Sequence, residues 1–474
     1  MSISFFLLSM SSASTLYISD IGVRGLARGG AFVAGANDIS SSWYNPANFG
    51  RIKGGLFSIQ TSGVKQFVSF DRREYPGEIF NAKGNEIENV TVSSQASPTY
   101  IPHLGGTFDF GTDNLTLFIG LTTPYGSKFE YPEAGPQRYS LQKSSVIQTF
   151  AGPSIAYNIH EWVSIGGSIS WSTIHVHQSR NIAVYLTTLE EDAKDIESPK
   201  YDVGFELDVN QMNTFTWNLG LLIEPPNRGW AVGLSYTPAK RYIPTGTVSI
   251  DFSQNRLYEN YGEDAIPIIQ TERTQDESAT LTIDMPAILR SGFLLRPTSN
   301  LEFEISFIYE GWGILEVLTV DDVRMEIETV QGQQIIKGPF PIPADYEDSW
   351  SVRFGGEWQH PTKTLAIRSG IMYETSGIPP EQLSVTLLDA PKYGYGIGGS
   401  YGLSKNIVLD VGWFQSFMGS WDNETSSISR LSLQIDPLSQ EINEVYDRLV
   451  AQGSYQSSAF IFAGGLTYTL GQRK

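Results

Sequence analysis

The side chains with the strongest chemical potential in this 474-residue chain are few and far apart. His175 and His177 stand at i, i+2, so a strand would turn both imidazoles to one face, a spacing able to hold a metal. The chain has no cysteine and only three other histidines. An interfacial or wall pair is therefore the better reading, and no metal or cofactor is expected. Glu302 and Glu304, with Arg353 and Arg368, read as a structural charge network on a wall, with steering of a carboxylate as a lesser alternative. An enzyme needs a nucleophile and a base in reach. No Ser, His and Asp combination stands on a common wall, so no catalytic residue is assigned and enzymatic function is not expected.

Two further segments carry backbone signals. ISSSWYNPANFG (39–50) follows GLARGGAFVAGAND, a run too rich in glycine for a long helix. Within it Asn45-Pro46 sets a turn, through Asn side-chain bonding and the fixed φ of proline. In GLTTPYGSKFEYP (120–132), Pro124 lacks the N–H that a strand ladder uses, so it marks either a kink or the start of a loop.

The elements that must position these residues are strands. Leu301, Phe303, Ile305, Phe307 and Tyr309 alternate with Glu302, Glu304 and Ser306. Trp350, Val352, Phe354 and Trp358 alternate with Ser351, Arg353 and Glu357. Ile407, Leu409, Val411 and Trp413 do the same against Asp410 and Gly412. The pattern predicts fourteen strands, at 55–70, 98–110, 114–123, 146–158, 161–179, 203–223, 228–252, 280–296, 299–312, 349–359, 363–376, 393–403, 406–417 and 455–470. Their joins alternate between short turns, such as 111–114 and 403–406, and long excursions, such as 71–97, 313–348 and 418–454. That asymmetry, the even strand number and the aromatic residues at strand ends predict an all-β fold: a 14-stranded antiparallel transmembrane β-barrel in a Gram-negative outer membrane. Charged faces must then point into the lumen.

Composition agrees. The net charge of −19 argues against nucleic acid, and absence of cysteine suits export. No run of about 18 apolar residues could form a membrane helix. Ile3–Met10 followed by Ser11-Ser12-Ala13 reads as a signal peptide over 1–13, although it lacks a basic start. The barrel occupies 54–470, with a short tail at 471–474. A fourteen-strand lumen is too wide for its own side chains to fill, so the small-residue segment 14–53 is expected to be a hatch, or plug, inside it. The acidic stretches 189–199, 320–328 and 344–350 are expected to be solvated outer loops. Such loops gather fatty-acid anions poorly, which keeps neutral hydrocarbons and aromatics in play.

SDIGVRGLARGGAFVAGANDISSSWYNPANFG resembles the hatch of the FadL/TodX family of outer-membrane transporters for hydrophobic compounds, with the family's motif at Asn45, Pro46 and Ala47. GLTTPYGSKFEYP, VGLSYTPAKRYIPTGTV, TIDMPAILRSGFLLRPTSNLEFEISFIYEGWG, LAIRSGIMYETSGIPP and KNIVLDVGWFQSF resemble later family strands, in the same order. The resemblance implies passive uptake of a hydrophobic small molecule (a fatty acid, hydrocarbon or aromatic). It also implies a lateral exit at a kink in the third strand, here Gly120, Pro124 and Gly126. The expected partners are the hydrophobic ligand and outer-membrane lipid, without nucleic acid, and the working expectation for the assembly is a monomer. The alternative is a non-transporting barrel acting as an adaptor or shuttle in protein secretion.

Overall fold

The computed structural model describes residues 20–73, 91–186, 197–258, 268–274, 277–362, 364–436, 439 and 442–470. The expected signal peptide, the tail and most of the 189–199 stretch lie outside these residues. Fourteen transmembrane strands run in chain order. They are β1 (Gly55–Arg72), β2 (Thr99–Phe108), β3 (Leu115–Glu130), β4 (Lys143–His160), β5 (Val163–Leu186), β6 (Asp202–Ile223) and β7 (Trp230–Thr237, continued by Lys240–Tyr242 and Thr245–Asp251). There follow β8 (Glu277–Met285 and Ile288–Thr298), β9 (Leu301–Glu310), β10 (Ser349–Gln359), β11 (Leu365–Glu374), β12 (Lys392–Gly402), β13 (Ile407–Asn423) and β14 (Gly453–Leu470). The breaks in β7 and β8 fall beside Pro238, Pro244 and Pro286, each without a ladder N–H.

Each strand pairs antiparallel with the next. β1 closes on β14 in an unbroken ladder from Gly55↔Leu470 to Arg72↔Gly453. Closure leaves no edge, as a backbone in hydrocarbon requires. The period-2 pattern then sorts side chains. Ile119, Phe215, Ile371 and Phe462 point outward and are each more than half exposed, as a lipid face demands. Glu304, Arg353, Arg368 and Asp410 point inward and are buried.

β5 and β6 run 24 and 22 residues, against about 9–11 for a bilayer crossing. Their upper ends therefore stand clear of the membrane, and the long joins fold over them. Arg324–Thr329 pairs with Gly332–Lys337, and Ser429–Ile435 with Ile442–Leu449. The second hairpin also lies parallel against the top of β5, with Ser432 opposite Ala183. This corrects the expectation that 320–328 and 344–350 are simply solvated. Val320, Val323, Met325 and Ile327 are buried, as are Ala344 and Tyr346. Their acidic neighbours alternate with apolar residues, so one face is wet while the other joins the core. That core includes Val146, Ile174, Val209, Leu281, Ile308 and Leu433, and it packs the upper lumen with aliphatic side chains.

Glu197 fastens this cap to the barrel. Arg72 donates to both of its carboxylate oxygens, Nη1 at 2.7 Å and Nη2 at 2.6 Å, and Arg72 Nη2 also reaches the Leu449 carbonyl at 3.0 Å. Burial alone would raise the carboxyl, but Arg72, Arg138 and Arg448 outweigh it and hold the pKa down at about 2, from 4.5. A depressed carboxylate stabilises fully above its unfolded pKa and loses that contribution as pH falls through the folded value. Hydrogen-exchange protection of the 442–449 strand is therefore expected to hold from pH 8 to 5 and to fall between about 4.5 and 2. Glu197→Ala, which strands buried arginines, is expected to remove about 3 kcal/mol of local protection at neutral pH.

Candidate functional site: a seated plug, a cavity and a broken ladder

Residues 20–51 lie inside the barrel. Short elements form there because the sequence is small and glycine-rich: α1 (Val23–Ala27), α2 (Ser41–Tyr44) and a 3-10 turn over Pro46–Arg51. Gly22, Gly29 and Gly30 take positive φ between them, allowing a tight path. The wall supplies a matching seat of glycines. A Cβ on Gly370 would stand 2.0 Å from the Arg28 carbonyl oxygen, and one on Gly396 would stand 2.1 Å from that of Leu26. On the opposite side, Gly166 and Gly220 face each other across β5 and β6, and their Cβ atoms would meet Ala47 N at 2.4 Å and Asn45 Oδ1 at 2.1 Å. Only glycine permits backbone to lie on backbone this closely.

Asn45, Pro46 and Ala47 sit at that second contact. Asn45 Oδ1 accepts from Ala47 N at 3.1 Å, capping the 3-10 turn that Pro46 begins. Its Nδ2 donates to the Val33 carbonyl at 3.3 Å and, across to β6, to that of Leu221 at 3.0 Å. One side chain thus closes the turn, ties two arms of the plug together and grips the wall.

Ion pairs complete the seat. Asp20 pairs with Arg353, and Arg28 with Glu302. Arg24 reaches Asp410 at 3.1 Å, Arg28 reaches Glu304 at 3.6 Å and Arg51 reaches Glu224 at 2.8 Å. Glu302, Glu304, Arg353 and Arg368 are therefore not a wall network among themselves. Glu302 and Glu304 face the plug, Arg353 divides between Asp20 and Glu374, and Arg368 binds Glu357 at 2.6 Å. Alternation revealed that these charges face inward, but the partners come from a segment that has no period. His175 and His177 both face Asp208 across the ladder, at 3.1 and 3.3 Å, on the outer side of the barrel.

The wall is incomplete at β3. Its ladder with β2 runs only from Phe108↔Leu117 to Leu104↔Leu121. β2 continues to Thr99 on one side and β3 to Glu130 on the other, with no pairing between them among the described residues. Gln95 N, donating to the Glu130 carbonyl at 2.6 Å, marks the far end of this break. On the β4 side the register slips between Thr122 and Tyr125. Pro124 sits at the slip, so it lies within the strand and does not begin a loop. Thr122 to Ser127 are all buried, where a strand on a barrel wall would alternate. This part of β3 bends inward.

Gly120, at the last regular pairs of that ladder, lines a small cavity of about 30 Å³ together with Trp43, Phe118, Phe150, Thr237 and hydroxyl-bearing wall residues. Gly126 lies beyond the slip, where β3 again pairs with β4 opposite Ile147. Trp43, Tyr125 and Phe150 pack on one another with centroids 6.0 to 6.3 Å apart; Trp43 and Phe150 line the cavity, and all three belong to the large apolar cluster. Trp43 is two residues before Asn45, and only its place beside a known turn could have flagged it.

A closed barrel with short turns at one end, folded joins at the other and an N-terminal segment seated in its lumen is an outer-membrane barrel of the plugged kind. The chain belongs to the outer membrane protein transport protein family (OMPP1/FadL/TodX), whose profile matches residues 5–470. It is similar to outer membrane protein P1 of Haemophilus influenzae, 22% identical over 423 residues and covering 85% of each chain. It is also similar to the long-chain fatty acid transport protein of Escherichia coli K12, 23% identical over 199 residues; that match spans 42% of this chain and only 40% of the relative. Among solved structures, a Pseudomonas aeruginosa FadL homologue superposes with a TM-score of 0.69 at 14% identity, covering 98% of this chain and 100% of that one. The Pseudomonas putida toluene transporter TodX superposes with a TM-score of 0.61 at 13% identity, covering 96% and 100%. These likenesses establish the fold.

The glycine seat is testable. Gly370→Val should unseat the plug, because its clash is with backbone, and should raise single-channel conductance in planar bilayers. Gly464→Val is the control: nothing lies within 4 Å of its Cβ, and its conductance should equal that of the unchanged protein.

Proposed function

We propose that the protein carries a hydrophobic small molecule passively across the outer membrane, without catalysis. The ligand enters through the cap, partitions into the aliphatic upper lumen and reaches the cavity behind Trp43. It leaves sideways into the bilayer through the break between β2 and β3, with Gly120, Pro124 and Gly126 as the flexible edge. Residues 14–53 act as the hatch that closes the straight path, held by the Asn45-Pro46-Ala47 turn, and 54–470 act as the conduit.

The observation that carries this reading is the large cluster of aliphatic side chains packed in the upper lumen, in a barrel type whose interior is ordinarily polar. A water-filled pore gains nothing from buried Val, Ile and Leu on its inner wall, whereas a hydrocarbon chain gains roughly 0.8 kcal/mol per buried CH₂. An adaptor in secretion would have no need of such a lining either. The names carried by the relatives, fatty acid and toluene transporters, agree with an apolar cargo class.

Mass spectrometry of organic extracts from protein purified out of its own membrane is expected to show one recurring hydrophobic compound that a mock purification lacks. Deleting Pro124 restores the β3–β4 register and should let β3 zip onto β2. Uptake of that compound by cells is then expected to fall at least about tenfold, with the folded barrel still present. An extract matching bulk lipid, together with a co-purifying protein, would instead favour the adaptor.

A further inference from the structure

The outer face of β5 changes character partway up. Ile165, Ile169 and Trp171 face lipid and are exposed, and the same outward series then continues as His175, His177, Ser179 and Asn181. β6 changes beside it, from Leu219, Trp217 and Phe215 to Asp208 and Glu206. The inward series stays apolar over the same height, with Ile174, Val176, Val203 and Phe205 in the core.

Above the change, a groove of about 810 Å³ opens on the outside of the barrel. Its floor is the outward face of β5 from His177 to Asn181 and of β6 from Asp202 to Glu206. Its sides come from residues between Glu133 and Lys143 and between Ser249 and Gln254, with Arg273. Bonds among buried and half-buried groups fix the floor. Arg138 Nε donates to Asp202 at 2.6 Å, Asn181 Nδ2 to the same carboxylate at 3.1 Å, and Gln142 Nε2 to Asn181 Oδ1 at 3.0 Å. The rim is open: Lys200 and Gln254 are exposed, and no bond among the described residues uses their side-chain ends.

Two properties of the groove select its ligand. Carboxylates and cations are equal in number along the lining, so no net charge favours a bare anion. Between them stand amides and hydroxyls, among them Gln142, Ser179, Asn181, Ser253 and Gln254. Donors and acceptors held side by side suit a molecule rich in hydroxyls, each of which both donates and accepts. Height is the second property. With a rise of about 3.3 Å per residue and a tilt of about 40°, His177 and Asn181 stand about 15 and 25 Å above Trp171. The headgroup layer of a phospholipid is only about 5 to 8 Å deep.

We propose that the groove seats the saccharide headgroup of an outer-leaflet glycolipid, whose acyl chains lie against Ile169, Trp171 and Phe215. The floor runs without interruption into that lipid face, so one molecule spans both. A free oligosaccharide would use the groove alone. The site lies on the outer wall and does not depend on the transport reading.

Native mass spectrometry of the full-length protein in detergent tests this with three probes: lipopolysaccharide carrying a complete core, lipid A, and the delipidated core oligosaccharide. Complete lipopolysaccharide is expected to bind at least about tenfold more tightly than either part. Lys200→Ala with Gln254→Ala removes two rim contacts and no bond among the described residues. Binding of complete lipopolysaccharide should then fall at least about tenfold, as loss of one charge-assisted and one neutral hydrogen bond implies, with lipid A binding unchanged. Lipid A that binds as tightly as complete lipopolysaccharide overturns the proposal, and that result needs no variant. So does a delipidated core that binds as tightly, which would make the groove a site for free saccharide. A double variant that binds complete lipopolysaccharide like the unchanged protein also overturns it.

Discussion

A chain crossing hydrocarbon must satisfy every backbone N–H and C=O from within. The ladder of fourteen strands closing β1 on β14 meets that demand, and the rest of the molecule follows from it. A ring of that size leaves a lumen its own side chains cannot fill. Filling it with more chain brings the same demand inside, because the plug's backbone must also find partners. Small residues meet it here. The plug lies against wall glycines so closely that main-chain groups meet main-chain groups, and Asn45 supplies bonds to backbone in three directions. The break beside β3 is a place where the constraint is relaxed. There the strand turns inward, away from lipid, so its unladdered groups are shielded by protein.

The ion pairs around the plug do a different job. Bringing Asp20, Arg353 and Glu374 out of water carries a desolvation cost that their mutual attraction only partly offsets. Their contribution is best understood as position. Each pair is specific in partner and depth, and a slipped plug would leave several buried charges alone, at a cost of several kcal/mol each. Apolar packing tolerates small slides; a set of charged contacts on β6, β9, β10 and β13 does not. The plug is held in one register by what it would lose in any other.

Much of this was legible in the residues, and the division between legible and hidden is physical. Strand count and closure could be read because lipid and lumen impose a period of two on every crossing. Leu301 to Tyr309 shows it plainly. Strand ends were misread where strands continue beyond the membrane, as in β3, which runs to Glu130 through Pro124, and β5, which runs to Leu186. The hairpins at 324–337 and 429–449 were hidden because acidic residues masked their apolar alternates. Partners across the lumen were out of reach altogether. Arg353 meets Asp20 across 333 positions of chain, and no local pattern encodes that.

The two halves of the lumen oppose each other. The upper lumen holds the large aliphatic cluster, while around the plug glycines and charges of the wall meet polar backbone beside smaller apolar clusters such as that of Val23 and Leu26. On the transport reading proposed above, an apolar molecule entering from outside would gain free energy among the upper aliphatic side chains and lose part of it among the charged groups of the plug's seat. A gradient of that sign makes the plug an effective floor even if it moves, since the barrier is chemical as well as steric. On the same reading the β2–β3 break is where the wall would open sideways, since Thr122 to Ser127 turn inward there without ladder partners on β2 among the described residues.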